Sequence, residues 1–228
     1  MTSDLDLYAE LEDLIGFENE ALALYEHYIV ELQRLGIREF LDIGCGSGKL
    51  MRLASQVGME PFGIDLSETM VQRTLAAGGD ARCVDVCALG QTFPAATAVF
   101  DVLNYLEPNA LEGFFRCVGD VLEPGGYFLA DINTQYGFEE IAQGTLMMEN
   151  PERFAAMESV YEEKRMETKL RLFKKEGEGY RRYAGTIVQH YHPLSWFERQ
   201  APMRLVKNLP VTLFGDQPDK RLLLFQKR

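Results

Sequence analysis

Apolar residues recur every three or four positions from Asp4 to Leu35: first Leu5, Tyr8, Leu11 and Ile15, then Leu22, Tyr25, Ile29 and Leu32. That period predicts one or two amphipathic helices. The pattern then changes. Short apolar runs at Phe40–Ile43, Glu60–Ile64, Ala81–Asp85, about Ala95–Phe100 and Tyr127–Ile132 read as strands. Between them, Lys49–Val57, Glu68–Ala77 and Ala110–Val121 keep a helical spacing, with Ser67 and Asn109 placed to cap the last two. Strands alternating with helices predict an α/β chain built on a mostly parallel sheet.

The alternation breaks after the fifth strand. Gln135–Tyr191 is polar without being low in complexity. Met166, Thr168, Leu170 and Leu172 alternate with charged residues, Glu176–Gly179 is a turn signal, and Tyr180–Tyr191 alternates again. This is strand periodicity. It predicts a small antiparallel sheet, residues 135–191, inserted as a lid over the carboxyl edge of the main sheet, where open α/β folds bind ligands. A helix at Leu194–Gln200 and a strand pair at Leu205–Val211 and Leu222–Gln226 complete a single domain over residues 1–228.

Composition narrows the functional classes. The 228 residues are 46% hydrophobic and carry a net charge of −12. An acidic surface repels a phosphate backbone, so nucleic acid is not an expected partner. The basic stretch Lys164–Lys175 reads as a solvated strand face. The acidic start MTSDLDLYAELEDL has neither the basic start nor the apolar core of a signal peptide. No apolar run reaches the length of a membrane span, and a cytoplasmic location is expected. The cysteines at 45, 83, 87 and 117 lack the paired Cys/His partners of a zinc site. They are expected to be reduced and mostly buried, with no metal.

The densest chemistry lies in FLDIGCGSGK, Phe40–Lys49. Gly44, Gly46 and Gly48 alternate, which lets the backbone turn sharply and a ligand approach it closely. A dinucleotide fingerprint, G-x-G-x-x-G, would need glycine where Lys49 stands. A P-loop would need glycine at Ile43 and Ser or Thr at Leu50. What remains is D-x-G-x-G-x-G led by Asp42. Asp65, in GIDLS, ends the next strand, where a carboxylate can accept from both hydroxyls of a ribose.

These motifs resemble those of the class I S-adenosylmethionine-dependent methyltransferases, in their small bacterial form. The likeness also covers Asp85 and Val86 in ARCVDVCAL, VFDVLNYLEP at Val99–Pro108, LEPGGYFLADINT at Leu122–Thr134, and the final strand in DKRLLLFQKR. It implies a Rossmann-like, seven-stranded, mostly parallel sheet with helices on both faces and the antiparallel lid after strand five. It implies S-adenosylmethionine as cofactor, held by Asp42, Gly44, Cys45, Gly46, Asp65, Leu66, Met70, Asp85, Val86 and Phe100. One departure is Phe93-Pro94, where the family often has Phe-Asp.

The resemblance leaves the methyl acceptor open, and a small molecule is expected, handled by a monomer or homodimer. A methyl on a sulfonium is already activated, so the protein must align the acceptor, exclude water and take up a proton where needed. Asp101, His190 and His192 are candidates for the proton. Tyr8, Tyr25, Asn104, Tyr105, Asp131 and Asn133 are candidates for lining the same crevice. The alternatives are a protein that binds S-adenosylmethionine or S-adenosylhomocysteine without catalysis, and a nicotinamide oxidoreductase.

Overall fold

The computed structural model describes residues 4–228, apart from the side chains of Glu12 and Asp13. The amino-terminal stretch forms three helices, α1 (Asp4–Ala9), α2 (Glu12–Ile15) and α3 (Glu18–Arg34). Gly16, at φ 78°, breaks the run between the last two. The main-sheet strands follow: β1 (Glu39–Ile43), β2 (Glu60–Asp65), β3 (Ala81–Cys83), β4 (Phe93–Ala98) and β5 (Leu122–Asn133). Helices α4 (Lys49–Gln56), α5 (Glu68–Ala76) and α6 (Leu111–Asp120) connect them. Next come β6 (Gly144–Asn150), β7 (Arg153–Glu162), β8 (Arg165–Glu176) and β9 (Gly179–His190), then α7 (Leu194–Arg199), β10 (Arg204–Val211) and β11 (Lys220–Gln226).

Seven strands form one sheet in the order β10-β11-β5-β4-β1-β2-β3. Within it β1 to β5 pair in parallel, and β11 runs antiparallel to both β5 and β10. The expected mostly parallel sheet is therefore present. Alternate strand positions feed two cores, as a sheet buried on both faces requires. Phe128, Ala130, Leu223 and Phe225 pack with Phe115 of α6 and Phe197 of α7 on one face. Phe40, Leu129, Leu222 and Leu224 pack with Tyr28 and Leu32 of α3 and Leu50 of α4 on the other.

Strand four begins two residues earlier than the apolar run predicts. Phe93 pairs with Leu122, Ala95 pairs with Tyr127, and the register shifts between them. Pro94 has no N–H to give the ladder, and it sits in this irregularity, as a proline inside a sheet must. The Glu123–Gly126 run bulges out of β5 instead of ending α6 in a separate turn. Ser67 caps α5 as predicted, its hydroxyl accepting from the Met70 N–H at 3.2 Å. Asn109 does not cap α6; the preceding position is Ala110, and no side chain closes that end.

The insertion after β5 is a four-stranded antiparallel sheet, β6-β7-β8-β9. Two of its strands, β8 and β9, are the two read from alternation. The other two carry weaker patterns because β6 is an edge with exposed Leu146 and Met147. Leu7 and Leu11 at the amino-terminal end pack onto Leu170, Leu172 and Ile187 of this sheet. Distant segments of the chain thus make one apolar layer.

Cys87 and Cys117 form a disulfide across 30 residues, correcting the expectation of four reduced thiols. The short turn after β3 packs against α6, so the fold brings the two together at a Cα separation of 4.7 Å. Sequence spacing carried no sign of this. Cys45 is free and buried, and Cys83 is free and exposed. Among the described residues no helix is long and apolar enough to cross a membrane.

Candidate functional site

The carboxyl ends of β1, β2, β4 and β5 meet at one edge of the sheet. The glycine loop leaves β1 there. Gly44, Gly46 and Gly48 all lie at positive φ, 71°, 53° and 71°. The Gly44 and Cys45 N–H groups donate to the Ile64 carbonyl at 2.8 and 3.0 Å, which ties the loop to β2. The Thr74 hydroxyl donates to the Gly46 carbonyl at 2.8 Å. A side chain at Gly48 would strike Thr74, and one at Gly44 would press on Val102. At Gly46 a Cβ meets nothing within 4 Å. The outer turn of the loop therefore presents bare backbone to open space.

Asp65 faces that turn. Its Oδ2 accepts from the Gly46 N–H at 2.9 Å and its Oδ1 from the Ser67 N–H at 2.8 Å. Each oxygen keeps a second lone pair for another donor. Leu66 is next, 70% exposed, and is the most exposed of the large apolar residues described. Asp85 lies after β3 and caps the short turn Val86–Ala88 by accepting from the Cys87 N–H at 2.8 Å. Val86 is buried beneath it.

Three other predicted residues stand behind this surface. Asp42 is buried, with the Thr97 hydroxyl donating to it at 2.8 Å. Burial pushes its carboxyl up to about 7, the Thr97 bond pulls it back, and Asp65 adds repulsion. Cys45 turns its side chain into a cluster with Met51, Val71 and Ala81. Burial, then Asp42 and Asp65, hold its thiol well above the usual range. Met70 is buried on α5.

The exit of β4 holds the least ordinary backbone. Phe100 and Asp101 both sit in the left-handed region, at φ 60° and 63°. Two adjacent non-glycine residues there are strained, at about 1 kcal/mol or more each. Asp131 at the end of β5 holds them: its Oδ1 accepts from the Phe100 N–H at 2.8 Å and its Oδ2 from the Asp101 N–H at 3.2 Å. The Tyr28 hydroxyl of α3 donates to Asp131 at 2.8 Å. Lys220, buried at the start of β11, reaches Asp131 at 3.2 Å, Asn133 at 3.0 Å and the Asp101 carboxylate. Burial, with repulsion from Asp101, raises the Asp131 carboxyl to about 6 even though Lys220 and the Tyr28 bond draw it down. The two carboxylates in turn raise the Lys220 ammonium against its own burial. Lys220 is the member that the sequence reading missed; as the first residue of an apolar strand it reads as an edge charge.

Asn104 joins these parts to the inserted sheet. Its amide donates to the His190 carbonyl at 2.8 Å and accepts from the Asn133 N–H at 3.0 Å. The His192 Nε2 lies 3.0 and 3.1 Å from the Leu103 and Leu106 carbonyls. Both partners are acceptors, so that nitrogen carries a proton, and burial lowers the ring's basicity. His192 is a clasp for the turn after β4. The His190 ring stacks on it with centroids 6.4 Å apart. Tyr25 meets Phe100 edge-on at 5.4 Å. Tyr8 lies with Tyr105 against the inserted sheet.

The arrangement fits S-adenosylmethionine. The open glycine turn, the Asp65 carboxylate that accepts from it at 2.9 Å and the exposed Leu66 lie together at the carboxyl edge of the sheet.

Comparison with known proteins agrees with this geometry. Residues 40–126 match the model of a methyltransferase domain. A candidate methyltransferase of Geobacillus sp. (strain WCH70) is 29% identical over 138 residues, 56% of each chain. The chain thus spans little more than half the length of that curated relative. An S-adenosylmethionine-dependent methyltransferase from Clostridium acetobutylicum superposes with a TM-score of 0.75 at 19% identity, covering 89% of this chain and 90% of the other. The sugar N-methyltransferase KedS8 from Streptoalloteichus gives 0.74 at 19% identity, covering 100% and 94%. At these identities the structures speak for the fold.

Proposed function

We propose that the chain, whose residues 40–126 match the model of a methyltransferase domain, transfers a methyl group from S-adenosylmethionine to a small molecule. The observation that carries this reading is the Gly46 turn facing Asp65, with open space where a side chain would stand. Asp65 accepts from the ribose hydroxyls. The Gly44–Gly46 backbone, with Cys45 contributing main chain only, lies along the amino-acid half. Leu66 covers one face of the base, and Asp85 with the Val86 N–H meets its edge. Met70 backs α5, Asp42 stiffens the loop from below, and Phe100 closes the methyl end.

When bound, S-adenosylmethionine supplies a methyl already activated on a sulfonium. The chain's own residues supply alignment, which can be worth about 7–11 kcal/mol. Asp101 is the acceptor-side group: its carboxylate pairs with the Lys220 ammonium and its backbone N–H donates to Asp131, which places it to orient an amine. His190 stands at the end of β9, its carbonyl accepting from Asn104. His192 has both carbonyl partners in place and acts on position alone. The inserted sheet, 135–191, forms the acceptor lid.

A small acceptor suits the acidic surface, which disfavours nucleic acid, and suits a crevice roofed by the inserted sheet. The likeness to a sugar N-methyltransferase supports an amine on a small polar body. A cytoplasmic location fits the sequence, with the Cys87–Cys117 bond as its one opposing feature. To test the reading, the protein is incubated with S-adenosylmethionine and a metabolite extract, and new methylated masses are sought. Such a product confirms it. Cofactor binding by calorimetry with no methylated product would leave a binding protein, and preferential binding of a nicotinamide cofactor would overturn the reading.

A further inference from the structure

A second cavity of about 350 Å³ opens beside the crevice, at the end of β5. Its lining includes Ile132, Leu194, Asn133, Tyr191, Gln217 and Arg221. The protein carries 35 acidic residues against 23 basic ones, yet no aspartate or glutamate lines this cavity. Arg221 pairs with Ile132 across the β11–β5 ladder, so its side chain leaves the sheet on the cavity's face. Its guanidinium bonds only the neutral amide of Asn208, at 3.2 Å, and forms no ion pair among the described residues. The two acids that flank Gln217 and Pro218 in the chain bond other groups. Asp216 accepts from the Tyr136 hydroxyl at 3.0 Å, and Asp219, buried, accepts from the Leu213 N–H.

The crevice next door has the opposite character. Asp42, Asp65, Asp101 and Asp131 all face it or underlie it. Asn133 belongs to both walls: its side chain accepts from Lys220 of the buried network, and it also lines the cavity. An acidic crevice therefore adjoins a cavity with one unneutralised guanidinium, amide groups and two phenolic rings. A planar guanidinium fork is suited to carboxylate and phosphate oxygens.

We propose that this cavity binds the anionic end, a carboxylate or phosphate, of the methyl acceptor, whose nucleophile then lies in the acidic crevice. The proposal rests on the methyl-transfer reading for the word acceptor, and on Arg221 and its surroundings for the anion. It narrows the acceptor to a small polar molecule with opposite characters at its two ends.

The test follows the Arg221 side-chain Nε–H signal by nitrogen-15 NMR on the full chain, assigned by its loss in Arg221→Lys. The protein is titrated separately with pyrophosphate, glutarate and neutral glycerol. A saturable shift with either anion and none with glycerol is expected; which anion binds tighter distinguishes phosphate from carboxylate. Arg221→Gln should weaken that binding at least about tenfold, as loss of charged hydrogen bonds does, and Arg221→Lys by less. Anion effects at Tyr191 and Gln217 that persist unchanged in Arg221→Gln, with a cooperative melting transition retained, would overturn the assignment. So would the absence of a saturable shift with both anions. Calorimetry with S-adenosylmethionine on the same samples separates the two claims: anion binding without cofactor binding defeats the methyl-transfer reading and leaves the cavity's specificity standing.

Discussion

Asp42 and Asp65 end adjacent strands, and their surroundings give them different work. Asp65 is half-buried and bonded to two backbone N–H groups. Asp65→Ala should weaken S-adenosylmethionine binding at least about tenfold, because it removes the acceptor for the ribose hydroxyls. Calorimetric titration of the folded variant checks this, and unchanged affinity would end the ribose assignment. Asp42 is buried, and its carboxyl lies at about 7 in the fold against an ordinary value of 3.8. Between those values the folded chain holds a proton that the unfolded chain releases. The stability from this group is thus fully present below about pH 4 and lost as pH rises through 7. Asp42→Asn keeps an acceptor for Thr97 and removes the titration. Urea midpoints should show the variant gaining on the parent between pH 5 and pH 8. The glycines, Asp42 and Asp65 were legible because their roles depend on a few consecutive residues. Lys220 was not, because its partners Asp101 and Asp131 lie 119 and 89 positions away.

At the scale of elements, local pattern served wherever a strand or helix packs against its sequence neighbours. β1, β2, α5 and β5 were all visible as runs. The strands β6 and β7 were not: β6 is an edge strand exposing Met147 with little alternation to read, and β7 buries only Ala155 fully. The start of β4 was missed because its bulge answers to Glu123–Gly126 on another strand. Asn104 is the element-scale hinge pin: one side chain joins the turn after β4, the end of β5 and the end of β9. Asn104→Ala leaves a buried N–H and a buried carbonyl without that partner, so stability should fall by about 3 kcal/mol. The same variant should expose the β9–α7 connection near His190 to limited proteolysis. A urea transition equal to the parent's, with unaltered cleavage, would show that the inserted sheet is held by its apolar layer alone.

Over the whole molecule, the disulfide is the largest departure from what the sequence predicts. It closes a loop that contains β4 and the strained turn at Phe100–Asp101. By chain entropy alone a loop of this length stabilises the fold by about 3.5 kcal/mol. Cys117→Ser should therefore lower the denaturation midpoint in non-reducing buffer and have no effect once both proteins are reduced. Equal midpoints without reductant would mean that the two thiols are free in solution.

The position of Lys220 has a consequence for the order in which the protein can be made. The inserted sheet pairs each strand with its sequence neighbour, so it can form while later residues are still on the ribosome. The crevice cannot. Asp101 and Asp131 are in place once β4 and β5 meet, but their shared counter-ion arrives only with β11, which is synthesised after both and after the inserted sheet. Until then two carboxylates face each other without a cation, although Asp131 already accepts from the Phe100 and Asp101 N–H groups of the left-handed turn. A nascent chain thus carries a finished inserted sheet and an unfinished crevice, and the crevice takes shape when the β11 lysine docks.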